Sequence, residues 1–266
     1  MEESPDSPAK DKKQKSKSID NKSVLLRTLI VIILLSVVGF IYLNNSGNKI
    51  VQETSDCIKA SGKTVKQAIN TDSFNGVIVG GPTSNLHVIQ GDTNIFEIEA
   101  RQNIIDLLET TVDEDGILHI SYSQCVNDSG LLNLFQKVNY YVSMDQISKL
   151  GMNGSGKIIN DGQTIISDKL DLILSGSGRI ELDLNVVSLT STNSGSGTIK
   201  LSGKASGHTL TLSGSGKTRA YNLITENTNA TISGSGTAQV HVTEELASKV
   251  AGSGSIDYKG NPKNIK

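Results

Sequence analysis

The tripeptide Gly-Ser-Gly occurs six times in this chain, starting at Gly154, Gly176, Gly195, Gly214, Gly234 and Gly252, at intervals of 22, 19, 19, 20 and 18 residues. Self-similarity at a period near twenty is the mark of a solenoid. Glycine inside a strand normally weakens it, so its return at near-constant spacing needs a structural reason. The flanking residues supply one. In LILSGSGRIELDL, Leu172, Leu174, Gly176, Gly178, Ile180, Leu182 and Leu184 share one face of an extended chain, and Ser175, Ser177, Arg179, Glu181 and Asp183 share the other. That alternation excludes a helical repeat, and it also excludes the flexible linker that Gly and Ser enrichment without proline would otherwise suggest, because a linker has no reason to keep Leu, Ile and Val in phase.

The same register recurs in Met152-Gly154-Gly156-Ile158, Leu212-Gly214-Gly216-Thr218, Ile232-Gly234-Gly236-Ala238 and Val250-Gly252-Gly254-Ile256, with Gly195 and Gly197 supplying the remaining copy. The expectation is an all-β β-helix or β-roll of about six rungs, stacked at ~4.8 Å into a rod on the order of 30 Å long. The paired glycines are then structural turn residues at a corner where no side chain fits and φ turns positive. The middle serine of each copy points outward.

Before the repeats, within 72–149, the runs FNGVIVG, LHVIQGD, IFEIEA, ILHISY and KVNYYVSM read as short strands. Asp115-Gly116, between Val112 and Ile117, reads as a hairpin turn. The segment 126–137 is a surface loop able to set specificity, and its apolar GLLNLF, residues 130–135, is expected to cover an end of the solenoid.

The N-terminal part is of another kind. Residues 1–23 carry six lysines and almost no large apolar residue, as a solvated cytoplasmic tail does. Residues 24–43, VLLRTLIVIILLSVVGFIYL, are long enough to span a bilayer as a single transmembrane helix, with Arg27 snorkelling and Tyr42 at the far interface. A cleaved signal peptide is the rival reading, but the charged and apolar regions are both long for one and no Ala-x-Ala site follows Leu43. Lysines ahead of the span place the N-terminus inside and residues 44–266 outside, in the periplasm or beyond the cell. Residues 44–71 read as a stalk with weak helical spacing at Val51, Ile58, Val65 and Ile69. Cys57 and Cys125 fall in the outer part, where a bridge is permitted, although two buried thiols fit the sequence as well.

Several chemistries are disfavoured. A formal net charge of −2 gives no global field for nucleic acid. Asp171, Glu181 and Asp183 are the carboxylates to weigh for a polysaccharide-acting enzyme, but neighbouring rungs carry lysine or uncharged residues there, as a solvated face would. His87, His119, His208 and His241 are scattered through strands and read as strand-surface residues. Ser stands where a calcium-binding Gly-rich turn needs Asp, and neither cysteine has metal-ligand spacing. No catalytic, cofactor-binding or metal-binding residue is assigned, and no cofactor is expected.

The ordered series DSFNGVIVGGPTSNLHVIQGD, DGILHI, serial SGSG-x-I rungs and AGSGSIDYKGNP resembles the head GIN domain family, also called "putative auto-transporter adhesin", over about residues 72–266. The resemblance implies a β-helix or β-roll, usually secreted or membrane-tethered, with no catalytic residues to carry over. The first rung departs from the pattern by reading Asn153-Gly-Ser-Gly, and the chain ends soon after Tyr258 and Pro262. The functional expectation is a structural or adhesin-like binding role at a bacterial envelope, with the membrane and a glycan or envelope protein as partners. The alternatives are a polysaccharide-acting enzyme and an envelope-signalling protein that uses the basic tail.

Overall fold

Parallel pairing in a nearly constant register turns the Gly-Ser-Gly period into a coil. The computed structural model describes residues 57–81, 83–124, 126–127 and 138–266, the pair 126–127 by backbone alone. In chain order these form β1 (Ile58–Lys59), β2 (Thr64–Ala68), β3 (Gly76–Gly80), β4 (Ser84–Gln90), β5 (Ile95–Arg101), α1 (Gln102–Ile105), β6 (Leu108–Val112), β7 (Ile117–Tyr122), β8 (Val126–Asn127), β9 (Val138–Met144) and β10 (Lys149–Gly154). The coils follow as β11 (Lys157–Gly176), β12 (Arg179–Gly195), β13 (Thr198–Gly214), β14 (Lys217–Gly234), β15 (Thr237–Ala251), β16 (Ser255–Lys259) and β17 (Asn264–Ile265).

The long strands β11 to β15 each wrap a coil and pair in parallel with the next. Stacked registers such as Gly154↔Gly176↔Gly195↔Gly214↔Gly234 put like residue over like. The result is the expected all-β solenoid of about six turns. Leu172, Leu174, Ile180, Leu182 and Leu184 are all buried, as the alternation requires. Val250 holds the same register but is 43% exposed, because only the short β16 and β17 lie on that side of β15.

Departures from an even period gather at one corner, with one further shift of a single residue elsewhere, between Thr225 and Asn227 of β14 relative to Val242 and Glu245 of β15. The 22-residue interval arises where β11 has three extra residues between Ile159 and Thr164 relative to Glu181 and Asp183 of β12. Asp161 (φ 40°) and Gly162 (φ 84°) turn the chain there. The later shifts, between Lys200 and Ser202 and between Arg219 and Ile224, fall at the same corner. Longer insertions are tolerated where the chain turns outward and would break the core if placed elsewhere.

The N-terminal end is closed by antiparallel strands. β10 lies on β3, and β11 continues onto β4, so β3 and β4 build a coil before the first Gly-Ser-Gly. β7 and β9 form the next layer. Then β6, β5 and β2 pair antiparallel on its edge, which ends the parallel stacking. Phe74, Phe96, Ile98, Ile104 and Tyr140 fill the core beneath.

This corrects the reading of 57–71 as a helical stalk. Ile58, Val65 and Ile69 pack on the core, but from strand and extended backbone, and β2 pairs antiparallel with β5. Cys57 is disulfide-bonded. The other cysteine, Cys125, lies outside the described residues, as do 1–56 and 128–137, and with them the expected tail, membrane span and GLLNLF cap. Among the described residues no helix is long and apolar enough to cross a membrane.

Candidate functional site

Each Gly-Ser-Gly makes a corner, and its two glycines serve different needs. The first has positive φ in every copy, from 112° at Gly214 to 149° at Gly195. At Gly176 (φ 119°) a Cβ would stand 2.6 Å from the Gly154 carbonyl oxygen of the rung below. The second has ordinary φ but no space: at Gly197 a Cβ would meet Leu174 Cδ2 at 2.6 Å and Gly178 O at 2.7 Å. Close approach lets the Ser177 and Gly178 amides donate to Gly154 O at 3.1 and 3.0 Å, and those of Ser196 and Gly197 to Gly176 O at 3.0 and 2.9 Å. The serine side chains Ser155, Ser177, Ser196, Ser215, Ser235 and Ser253 are all exposed, so an outward hydroxyl column runs along the corner.

Two unlike faces meet at that corner. On the side before the glycines, β12, β13 and β14 present Thr190-Thr209-Asn229, Thr192-Thr211-Thr231 and Ser194-Ser213-Ser233 in three aligned outward columns, without a charge. The sequence reading placed Ser175 and the middle serines outward but did not follow the alternation back to these threonine columns, although the parity that puts leucine inward puts them outward. On the side after the glycines, one column reads Lys157-Arg179-Thr198-Lys217-Thr237 and the next Glu181-Lys200-Arg219-Gln239. A groove of about 310 Å³ opens here, between Asn85, Ser155, Lys157, Ser177, Arg179 and Thr198.

The three weighed carboxylates do not form a catalytic pair. Glu181 takes Lys200 Nζ at 2.6 Å on one oxygen and Lys157 Nζ at 3.0 Å on the other. The Lys200 and then the Lys157 hydrogen bonds hold its carboxyl down at about 2. A general acid needs the opposite shift. Asp183, next outward on the same strand, accepts from Thr164 Oγ1 at 2.5 Å and Ser202 Oγ at 2.8 Å. Asp171 lies on the far side of the corner, in register with Lys149 and Thr190, with Lys169 Nζ at 3.8 Å. Among the described residues no group of three or more His, Cys, Asp or Glu could hold a metal ion.

The histidines differ from one another. His119 Nε2 lies 2.7 Å from Asp113 Oδ2, and Asp113 Oδ1 also accepts the Asp115 and Ile117 amides, which fastens the Asp115-Gly116 hairpin. His87 stacks on Tyr141 and contacts Asp161 at 2.8 Å. His208 was expected on the strand surface and is instead in the core, 2% exposed, with Nε2 2.8 Å from Ser191 Oγ. Burial pushes its imidazole down to about 4. A serine beside a histidine has the makings of a nucleophile and base, but both are enclosed and, among the described residues, no carboxylate is hydrogen-bonded to the ring. Together with buried Asn193, whose Nδ2 donates to Gly197 O at 3.0 Å, they are polar members of inward columns.

A second groove, of about 640 Å³, crosses the opposite corner past Asp145, Ile166, Asp168, Lys169 and Val187. Gln90 secures one wall, donating from Nε2 to the Asp145 and Ile166 carbonyls and accepting the Ile166 amide. It is open and of mixed character.

Residues 73–262 match the family model described as "Putative auto-transporter adhesin, head GIN domain". Three solved structures share the architecture. A "putative adhesin" of Bacteroides fragilis is 24% identical with a TM-score of 0.70, covering 79% of this chain and 94% of its own. A "putative adhesin" of Parabacteroides merdae is 23% identical with a TM-score of 0.62 over 79% and 94%. A "putative lipid binding protein" of Parabacteroides distasonis is 21% identical with a TM-score of 0.60 over 78% and 95%. At these identities the likeness is one of fold. No curated protein matches.

Proposed function

We propose, from the premise that this chain belongs to the head GIN domain family, that it is an adhesin-like binding module held at a bacterial envelope. The membrane anchor is the apolar span 24–43, with the lysine-rich tail 1–23 inside and the solenoid outside. A disulfide at Cys57 accords with an oxidising compartment. On this reading proteolysis of intact cells, with the outer envelope opened where there is one, removes the solenoid and leaves the tail protected. A solenoid protected until the inner membrane is breached would contradict it.

The observation that carries the binding role is the outward register. From β11 to β15 equivalent side chains stand in columns at about 4.8 Å intervals, which suits a ligand that is itself periodic. A polysaccharide strand has that property, and a long regular face can contact several of its units at once. The role is non-enzymatic, in keeping with Glu181 being held ionised between two lysines.

A panel of immobilised glycans, probed with the full-length protein in neutral detergent and assayed for loss of each bound glycan, tests this directly. The expected result is selective binding without turnover. Turnover would overturn the non-enzymatic role and direct attention to Asp171, Glu181 and Asp183. Failure to bind any glycan would overturn the choice of ligand in favour of an envelope protein.

A further inference from the structure

Charge is segregated along the Gly-Ser-Gly corner in a way the chain's net charge of −2 conceals. The two columns after the glycines bring Lys157, Arg179, Lys200, Lys217 and Arg219 together, with Glu181 as their one carboxylate across β11 to β14. Glu181 occupies Lys157 and Lys200. Arg179, Lys217 and Arg219 are exposed and form no ion pair among the described residues.

Within the adhesive role proposed above, we infer that this ridge binds a linear polysaccharide bearing carboxylate groups. Charge complementarity selects the ligand's sign. The setting selects its kind. Arg179 and Lys217 belong to one column with Thr198 between them, so the two cations stand about 10 Å apart along the stack. That distance is commensurate with the two-sugar repeat of an extended polysaccharide. The exposed hydroxyls of Ser177, Ser196 and Ser215 border the ridge and offer both donors and acceptors to sugar hydroxyls.

The guanidinium groups of Arg179 and Arg219 suit planar carboxylates, which they can grip through two parallel hydrogen bonds. No aromatic side chain stands in either column, so the stacking surface that single-stranded nucleic acid uses is missing from them. Asp183, beside the ridge, is engaged by Ser202 and Thr164 and sets its limit on that side. Each exposed cation contributes little by itself. Recurrence along the rungs lets one chain engage several at once, and this raises the overall affinity.

The test uses the full-length protein in neutral detergent and polygalacturonate as the probe, beside its fully methyl-esterified form and a double-stranded DNA fragment. The variant replaces Arg179, Lys217 and Arg219 together by Thr, the residue already present at 198 and 237 in the first of these columns. Expected are binding of polygalacturonate that weakens as salt rises from about 50 to about 300 mM, no binding of the ester, and a loss of about tenfold or more in the variant. Restoring charge with Lys at the three positions should recover part of the affinity. Unchanged binding by the Thr variant, equal binding of the ester, or DNA competing as well as the polyuronate would overturn the inference. A neutral glycan bound equally by both proteins would leave the adhesive role standing and remove this ridge from it. Failure of every glycan would remove this ridge and, with it, the choice of a glycan as the ligand of the adhesive role.

Discussion

Gly176→Ala is expected to cost the solenoid about 3 to 5 kcal/mol, a large part of the 5 to 15 kcal/mol that holds a typical domain folded. Two penalties combine. Alanine must adopt φ near 119°, and its Cβ must sit 2.6 Å from the Gly154 carbonyl oxygen. That oxygen cannot simply move aside, because it accepts the Ser177 and Gly178 amides. The Gly176 carbonyl in turn accepts from Ser196 and Gly197, so displacement would pass to the next rung.

Gly178→Ala keeps ordinary φ and meets Gly156 O at 3.0 Å, so it should cost less. Ser177→Ala, at an exposed side chain, should stay within about 0.5 kcal/mol of the parent. Urea melts of the three variants should therefore rank Gly176 above Gly178 above Ser177. Equal midpoints for Gly176→Ala and Ser177→Ala would show that the corner is not built this way.

Acidification from pH 6.5 to 4 is expected to remove roughly 3 kcal/mol of stability through His208 alone. Burial depresses this imidazole from its ordinary 6.5 to about 4, so the folded chain holds it neutral. Between those values the unfolded chain takes up a proton that the folded chain refuses. The contribution is thus fully present above pH 6.5, lost progressively as pH falls through the window, and unchanged below about 4. Glu181 works in a lower window: its carboxyl is held at about 2, so its contribution is present above the ordinary carboxylate range and disappears as pH falls through about 2. His208→Leu should flatten the slope between pH 6.5 and 4 while lowering the baseline, since Ser191 Oγ would lose its partner. A variant with the parent's slope would show that His208 does not titrate as burial requires.

Much of this was legible in the residues, for a physical reason. A side-chain period of two inside a repeat of about twenty leaves little freedom in the register, and Leu172 to Leu184 face as the alternation demands. The same parity puts Ser191 and Asn193 inward with Leu189, and His208 inward with Leu210 and Leu212. Expecting His208 at the surface put residue type above register. The irregular 22-residue interval likewise contained its explanation in Asp161-Gly162.

Strand β2 is different. Thr64–Ala68 has a single half-buried residue, Val65, and owes its conformation to antiparallel pairing with β5, a tertiary partner some thirty residues away that no local pattern announces. The pairing of Lys157 and Lys200 with Glu181 also needed the register between coils, because the three residues belong to different rungs. It is this pairing that leaves Arg179, Lys217 and Arg219 as the unengaged cations of the ridge.

The account turns on recognition by repetition, and the length dependence of binding tests that most directly. Oligogalacturonates of increasing length, titrated against the full-length protein, should gain affinity stepwise until they span the five stacked strands β11 to β15, about 20 Å, and then level off. Affinity already complete with one or two sugars, or independent of length throughout, would point to a single pocket and contradict a periodic face.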